Sequence, residues 1–304
     1  MAVDGAGSVR PVGGGAGSVR PAGGRSAVTG ATGRLGGRVA RRLADAGVEQ
    51  LLVVRDPARA PELPGVEVRA ATYGDHEAAR AALDGVETLF MVSASESPDR
   101  ETEHRTFVDA AVAAGVRRVV YTSYFGAAPD ATFAHARLHH ATEEHLRASG
   151  VATVILRDNL YADLLPLLAG DDGVIRGPAG QGRVSAVALE DVADAAVAVL
   201  QDPAPHDGAT YELTGPEALT LGEVAAELSA LGRPVRYHDE TLEEAYASRA
   251  HLGAPRWEVD AWVSTYTAIA AGEMERVSDD VTRLTGRPAT TLRELLRRSS
   301  PASG

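Results

Sequence analysis

The chain has 304 residues, 44% of them hydrophobic and 24% charged, with 30 basic against 42 acidic side chains and a formal charge of −12. It contains no cysteine, which excludes disulfides, thiol catalysis and thiolate metal sites, and all thirty cations are arginine, which excludes Schiff bases, lysine-dependent nucleotide loops and a Tyr-x-x-x-Lys catalytic pair. An acidic chain without a basic block points away from nucleic acid, and no apolar run reaches the roughly eighteen residues of a membrane span, so the expected setting is the cytoplasm.

The segment GAGSVRP stands at residues 5–11 and again at 15–21. With so little bulky apolar surface it cannot offset its own ordering entropy, so residues 1–25 are predicted to be a disordered extension. The segment also lacks the apolar centre of a secretory signal.

From Ser26 the hydrophobic period alternates. SAVTG (26–30) reads as a strand, followed by a helix with Leu35, Val39 and Leu43 on one stripe. QLLVVR (50–55) and VEVRAA (66–71) read as strands, HEAARAAL as a short helix, and TLFMVS (88–93) as a fourth strand. A helix over 99–114, a strand at 118–123, a helix over 132–149 and a strand at 152–157 follow. Strands apolar on both faces and alternating with helices predict an α/β fold: a doubly wound parallel Rossmann sheet. Residues 26–157 are expected to form the dinucleotide-binding core.

Residues 158–304 are expected to supply the remaining sheet elements and a small, mostly helical C-terminal substrate lobe over the carboxyl ends of the strands. LYADLLPLLAG reads as a helix broken by Pro166, GRVSAVAL (182–189) as a strand, and EDVADAAVAVLQDP as a helix opened by acidic residues. TYELTG (210–215) is predicted to return a strand to the sheet, and PVRYHDE to form one short strand among helices.

The chemistry starts at the first turn. Gly30, Gly33 and Gly36 lie between a predicted strand and helix, where Gly30 suits a positive φ, Gly33 leaves bare backbone for a pyrophosphate and Gly36 lets the helix pack closely. The helix N-terminus adds amide donors and partial positive charge. The second strand ends in Arg55, whose guanidinium suits a 2′-phosphate, and Arg34 adds a second charge. The expected cofactor is NADP(H). Asp56, next in sequence, is the side chain an NAD-type ribose contact would use.

Ser93, Ser123 and Tyr124 close strands at the carboxyl edge, where such sheets bind ligands. Tyr124 suits a proton donor or a packing role. His135, His139, His140 and His145 share one helix, but only His135 and His139 are spaced i, i+4, and no carboxylates back them, so no metal site is expected. Trp257 and Trp262 suit either core or substrate wall.

TGATGRLGG, VVRDP, HHATEEHLRASGV, LRDNLYADL and the closing SDDVTRLTGRPATTLRELL resemble the NmrA-like atypical short-chain dehydrogenases, over about 26–296. Within that group the chain is similar to the second type of NADPH-dependent quinone oxidoreductases and to triphenylmethane reductases. The resemblance implies a phosphate loop of Gly30, Thr32, Gly33, Arg34, Leu35 and Gly36, and a 2′-phosphate contact at Arg55. It places His139 at the lysine slot and His135 where the catalytic tyrosine would stand, so His139 is implied at the nicotinamide ribose. Asn159 and Tyr161 fall near the family's nicotinamide and substrate contacts. Where the family often has Gly-Asp-Tyr, this chain has Ala71-Thr72-Tyr73, which alters an adenine-edge contact.

Without a phenol–ammonium pair, reduction of a simple ketone lacks its acid, whereas a quinone or another conjugated acceptor needs orientation more than protonation. The expected activity is NADPH-dependent reduction of a small aromatic or quinone-like substrate, including an aromatic natural-product intermediate, with His139 and Tyr124 as the candidate catalytic residues. The alternative is a non-catalytic NADP(H)-sensing regulator of the NmrA type. The resemblance also implies a homodimer.

Overall fold

The computed structural model describes residues 24–232 and 234–299. The predicted N-terminal extension therefore lies outside the described residues as far as residue 23. Arg25 is already engaged with the fold, its carbonyl accepting from the N–H groups of Glu87 and Thr88.

The strands are β1 (Ser26–Thr29), β2 (Gln50–Val54), β3 (Glu67–Ala70), β4 (Thr88–Met91), β5 (Arg118–Tyr124), β6 (Ala152–Asp158), β7 (Val174–Gly177), β8 (Arg183–Val184), β9 (Thr210–Leu213), β10 (Leu219–Thr220) and β11 (Arg236–Asp239). The helices are α1 (Arg34–Asp45), α2 (His76–Ala82), α3 (Arg100–Ala113), α4 (Ala134–Ala148), α5 (Leu189–Gln201), α6 (Leu221–Ser229), α7 (Leu242–Arg249), α8 (Arg256–Ala270), α9 (Asp280–Thr285) and α10 (Leu292–Ser299).

Seven strands form one parallel sheet in the order β3-β2-β1-β4-β5-β6-β9. β1, β2 and β4 are buried at every position, which is why they read as continuous apolar runs rather than alternating ones. One core layer packs α1, α5 and α9 on the sheet, with Leu35, Val39 and Leu43 of α1 meeting Val192, Ala196 and Val199 of α5. The opposite layer holds α2, α3 and α4 over Leu89, Met91, Tyr121 and Ile155. The strand order reverses between β1 and β4, so the crevice at their carboxyl ends is the expected ligand site of such a sheet.

β9 pairs in parallel with β6, as TYELTG predicts. The lobe differs from expectation in two places. GRVSAVAL gives only the two-residue β8, paired antiparallel with β10, because Ser185 turns its backbone elsewhere. Its N–H donates to Met274 O, and its carbonyl accepts from Gly215. β7 was not expected and pairs in parallel with β11. Its Val-Ile core is flanked by Gly170 and Gly173 at positive φ, so the stretch reads as a turn. No helix among the described residues is long and apolar enough to cross a membrane.

Candidate active site

The β1–α1 turn has the geometry its glycines demand. Gly30 adopts φ +65°, and the Gly33 N–H donates to its carbonyl at 2.8 Å. A Cβ on Gly36 would lie 2.4 Å from Gly30 O and 2.7 Å from Thr29 O, so only glycine fits. Leu35 is buried, whereas Thr32, Gly33 and Arg34 are exposed on the turn. No side chain caps α1, and its first turn holds no acidic residue, which leaves its leading N–H groups open to an anion. This cradle fits a dinucleotide pyrophosphate. Gly36→Ala should weaken NADPH binding by about tenfold or more, since a forced contact in a packed site costs roughly 1–3 kcal/mol. Fluorescence titration checks it, with Gly222→Ala as control, because a Cβ there meets only Thr220 Oγ1 at 3.7 Å, an ordinary contact.

Arg55 follows β2 directly, exposed and without an ion-pair or hydrogen-bond partner among the described residues. The Asp56 carboxylate is turned away to cap the next turn, accepting from Ala58 N at 3.0 Å. Tyr73 is held from behind, its hydroxyl donating to Val92 O at 2.6 Å and its ring stacked on Phe107.

Further along the same sheet edge lies a cavity of about 790 Å³. Ser93, Ser123, Tyr124, His139, Asn159 and Tyr161 all line it, so the structure brings these six predicted residues together. The glycine turn and Arg55 do not line it and sit on the other side of the switch point. Leu164, Leu168, Trp262 and Tyr266 supply an apolar wall, which makes Trp262 a wall residue and leaves Trp257 outside.

Several side chains are committed to other partners. Ser93 stands two residues beyond β4 rather than closing it, and its N–H donates to Thr122 Oγ1. The Ser123 hydroxyl donates to Glu143 at 2.6 Å. Asn159 donates to Ser185 Oγ and Met274 O, while its Oδ1 accepts from Leu160 N. The Tyr124 hydroxyl points at Met274 Sδ, 3.8 Å away, and burial followed by the nearby Asp158 carboxylate pushes this phenol upward. The Tyr124 hydroxyl therefore faces a thioether, a weak acceptor, an arrangement that suits the packing role as well as the donor role expected of it.

His139, at the slot of the missing lysine, turns its ring to Arg100 and Tyr121. Its Nε2 lies 2.9 Å from Arg100 Nη2, and a guanidinium only donates, so Nε2 must accept. The ring proton is then on Nδ1 and faces Tyr121 Oη at 2.9 Å. Burial, and then the positive Arg100, hold His139 well below its ordinary range, so the ring is neutral. His104 behaves the same way, pushed down to about 3 by burial and then Arg100, with Nε2 accepting from Ala94 N. Among the described residues His135 has no aligned hydrogen bond to either ring nitrogen, although its Nε2 is 3.2 Å from Glu96 Oε1.

Two residues not singled out from the sequence complete the wall. Asp158, the last residue of β6, is 4% exposed and accepts a hydrogen bond from the Tyr161 hydroxyl. Burial raises its carboxyl to about 7, and the same burial, with the adjoining carboxylate, raises the Tyr161 phenol. Arg100, the first residue of α3, is also 4% exposed. A carboxylate ending an apolar strand was the available signal for Asp158. Arg100 gave none, because an arginine at a helix start normally reads as solvated.

A doubly wound sheet with a bare glycine turn and a roofed crevice at its switch point is the frame of a dinucleotide-binding α/β protein. The chain belongs to the NAD(P)H-binding family, whose family model matches residues 30–203. Quinone oxidoreductase 2 of Escherichia coli is 36% identical over 276 residues, covering 88% of this chain and 96% of that protein. The NAD(P)H azoreductase of Xenophilus azovorans is 35% identical over 283 residues, covering 91% and 98%. The structure of the Escherichia coli NADPH-dependent quinone oxidoreductase complexed with NADPH matches with a TM-score of 0.83 at 35% identity, covering 90% of this chain and 99% of that one. Citrobacter triphenylmethane reductase complexed with NADP(H) matches at 0.81 and 32% identity, covering 90% and 100%.

Proposed function

We propose that the protein is an NADPH-dependent reductase that transfers hydride to quinones or similarly electron-poor conjugated acceptors. The observation that carries this is the cavity itself, about 790 Å³ with an aromatic and leucine wall, placed over the carboxyl ends of β4, β5 and β6 beside the switch point. The names of the relatives, a quinone oxidoreductase and an azoreductase, support the same acceptor class.

In this reading Gly30, Thr32, Gly33, Arg34, Leu35 and Gly36 hold the pyrophosphate, and Arg55 holds the 2′-phosphate. Ser93 and His139 face the nicotinamide side, with His139 as a positioning residue. Ser123 and Asn159 brace the wall through their own partners, and Tyr124 and Tyr161 contact the acceptor. The bound cofactor supplies the hydride. The chain aligns the acceptor against it, excludes water with Leu164, Leu168 and Trp262, and returns a proton. Hydride addition leaves a hydroquinone monoanion, which needs one proton on oxygen. Tyr161 and Asp158 supply it. A protonated Asp158 donates to Tyr161 Oη, which frees the phenol hydrogen to face the acceptor, whereas an ionised Asp158 keeps that hydrogen for itself.

The test is NADPH oxidation by the full chain with and without a simple benzoquinone. Quinone-dependent turnover is expected, and Arg55→Ala should raise KM for NADPH by roughly tenfold to a hundredfold, since charge-assisted hydrogen bonds contribute about 1.5–3 kcal/mol. NADH kinetics should change little in that variant. Tight NADPH binding without turnover of any quinone would instead support a cofactor sensor.

A further inference from the structure

We propose that Arg100 is the oxyanion-receiving group of the acceptor cavity, binding the oxygen that becomes negative as hydride arrives. The proposal rests on the reductase reading for its catalytic consequence, though not for the existence of the anion site.

Arg100 lines the cavity, is 4% exposed, and has no carboxylate within ion-pairing distance among the described residues. Among the described residues its side chain makes one hydrogen bond, to His139 Nε2, which leaves most of its N–H donors for a ligand. The other charged groups of the wall are engaged elsewhere. Arg249 is paired with Glu240 at 2.9 Å, Glu96 stands against His135, and Asp158 holds Tyr161. The carboxylates of Glu96 and Asp158 act on Arg100 only beyond ion-pairing distance, and a buried cation so weakly balanced costs free energy that an anionic ligand offsets. The cofactor phosphates fall to the glycine turn and Arg55, on other elements. An NADPH held at the glycine turn and Arg55 would supply the hydride, and Arg100 would stabilise the negative charge left on the acceptor.

The positive charge that a lysine on α4 would have carried therefore comes from α3, with neutral His139 steering the guanidinium through one hydrogen bond. In the balanced step, the quinone takes the hydride and its electron pair to become the hydroquinone monoanion. Arg100 holds the charged oxygen until the Tyr161–Asp158 pair protonates it. The same cation sets specificity. Acceptors that become anionic are favoured, and cationic dyes, which would enter against a like charge in a low-dielectric wall, are disfavoured.

The test uses 4-nitrophenol as a spectroscopic probe, bound to the cofactor-free protein at a pH below the probe's own pKa, alongside steady-state kinetics. Wild type should draw the bound probe into its yellow phenolate form, and Arg100→Met should not. Arg100→Lys should restore part of the band. For benzoquinone, Arg100→Met should lose about 10²-fold in kcat with the Kd for NADPH unchanged, the scale of removing one oxyanion donor. The wild-type preference for quinone over a cationic triphenylmethane dye should shrink in the same variant. A neutral bound probe in wild type would overturn the proposal. So would a loss in Arg100→Met that saturating NADPH fully reverses. Phenolate capture by wild type, lost in Arg100→Met, in a protein that turns over no quinone would support the anion site while ending the reductase reading.

Discussion

Asp158→Asn should lower kcat for quinone reduction by about 10²-fold or more at pH 6, the usual contribution of a positioned acid, and should leave a rate that no longer varies with pH from 6 to 9. Wild type should behave differently, with kcat falling as pH rises through about 7, where the buried Asp158 carboxyl ionises. The sign follows from the proton inventory. Below that value Asp158 is protonated and donates to Tyr161, and above it the carboxylate captures the Tyr161 hydroxyl. The two profiles should converge near pH 9, where wild type has lost its acid and retains only charge stabilisation. The same group predicts a stability trend. Its folded-state value lies above the ordinary carboxylate range, so the fold binds the extra proton between that range and about 7. Stability should therefore fall as pH rises across this window and level off above it, and Asp158→Asn should remove that slope in chemical denaturation. A wild-type rate independent of pH, or a variant that keeps the alkaline fall, would rule out this acid.

Glu143→Ala should have the largest effect on stability. Glu143, in α4, is fully buried and accepts from Ser123 Oγ at 2.6 Å and from Arg157 Nε and Nη2 at 2.8 and 2.6 Å, with Arg147 adding a contact at 3.1 Å. It joins α4 to the ends of β5 and β6. Removing it leaves the largely covered Arg157 without its hydrogen-bonded carboxylate, with only the longer-range charge of Glu212 beside it, and breaking such a buried pair costs about 3–5 kcal/mol. At this chain length that corresponds to a Tm lower by roughly 10 °C. Glu143→Gln, which keeps an acceptor for Ser123, should lose less. Glu143 does not line the cavity, so kcat at low temperature should change by less than about tenfold in either variant, within the reach of small packing shifts. A large rate loss with an unchanged Tm would reverse this assignment.

The Rossmann half was legible because burial on both faces of a parallel sheet leaves its mark in every strand. QLLVV and TLFM are buried throughout, and the α1 stripe of Leu35, Val39 and Leu43 needs no distant information. The glycine turn was legible for the same reason, since φ at Gly30 and the closeness of Gly36 are local demands. The lobe was less so. Ser185 and Asn159 look like strand and ligand residues, yet their partner is Met274, about ninety residues or more away in sequence, and no periodicity announces it. Arg100 and Asp158 were hidden by a related effect. A charged residue at a helix start or strand end is ordinarily wet, and here tertiary packing buries both, with His139 of α4 against Arg100 and Tyr161 against Asp158.

The grip of Met274 has a consequence for traffic through the cavity. Its carbonyl accepts from Ser185 N and Asn159 Nδ2, and its sulfur meets the Tyr124 hydroxyl, so the roof is riveted to β5, β6 and the β8 loop at one spot. A wall fastened there does not swing open. On the unfastened side, Leu167 and Leu252 line the same cavity yet are 66% and 55% exposed. A flat acceptor entering between these two leucines would go in edge-on, and a ring bearing a long apolar substituent would leave that tail outside the protein.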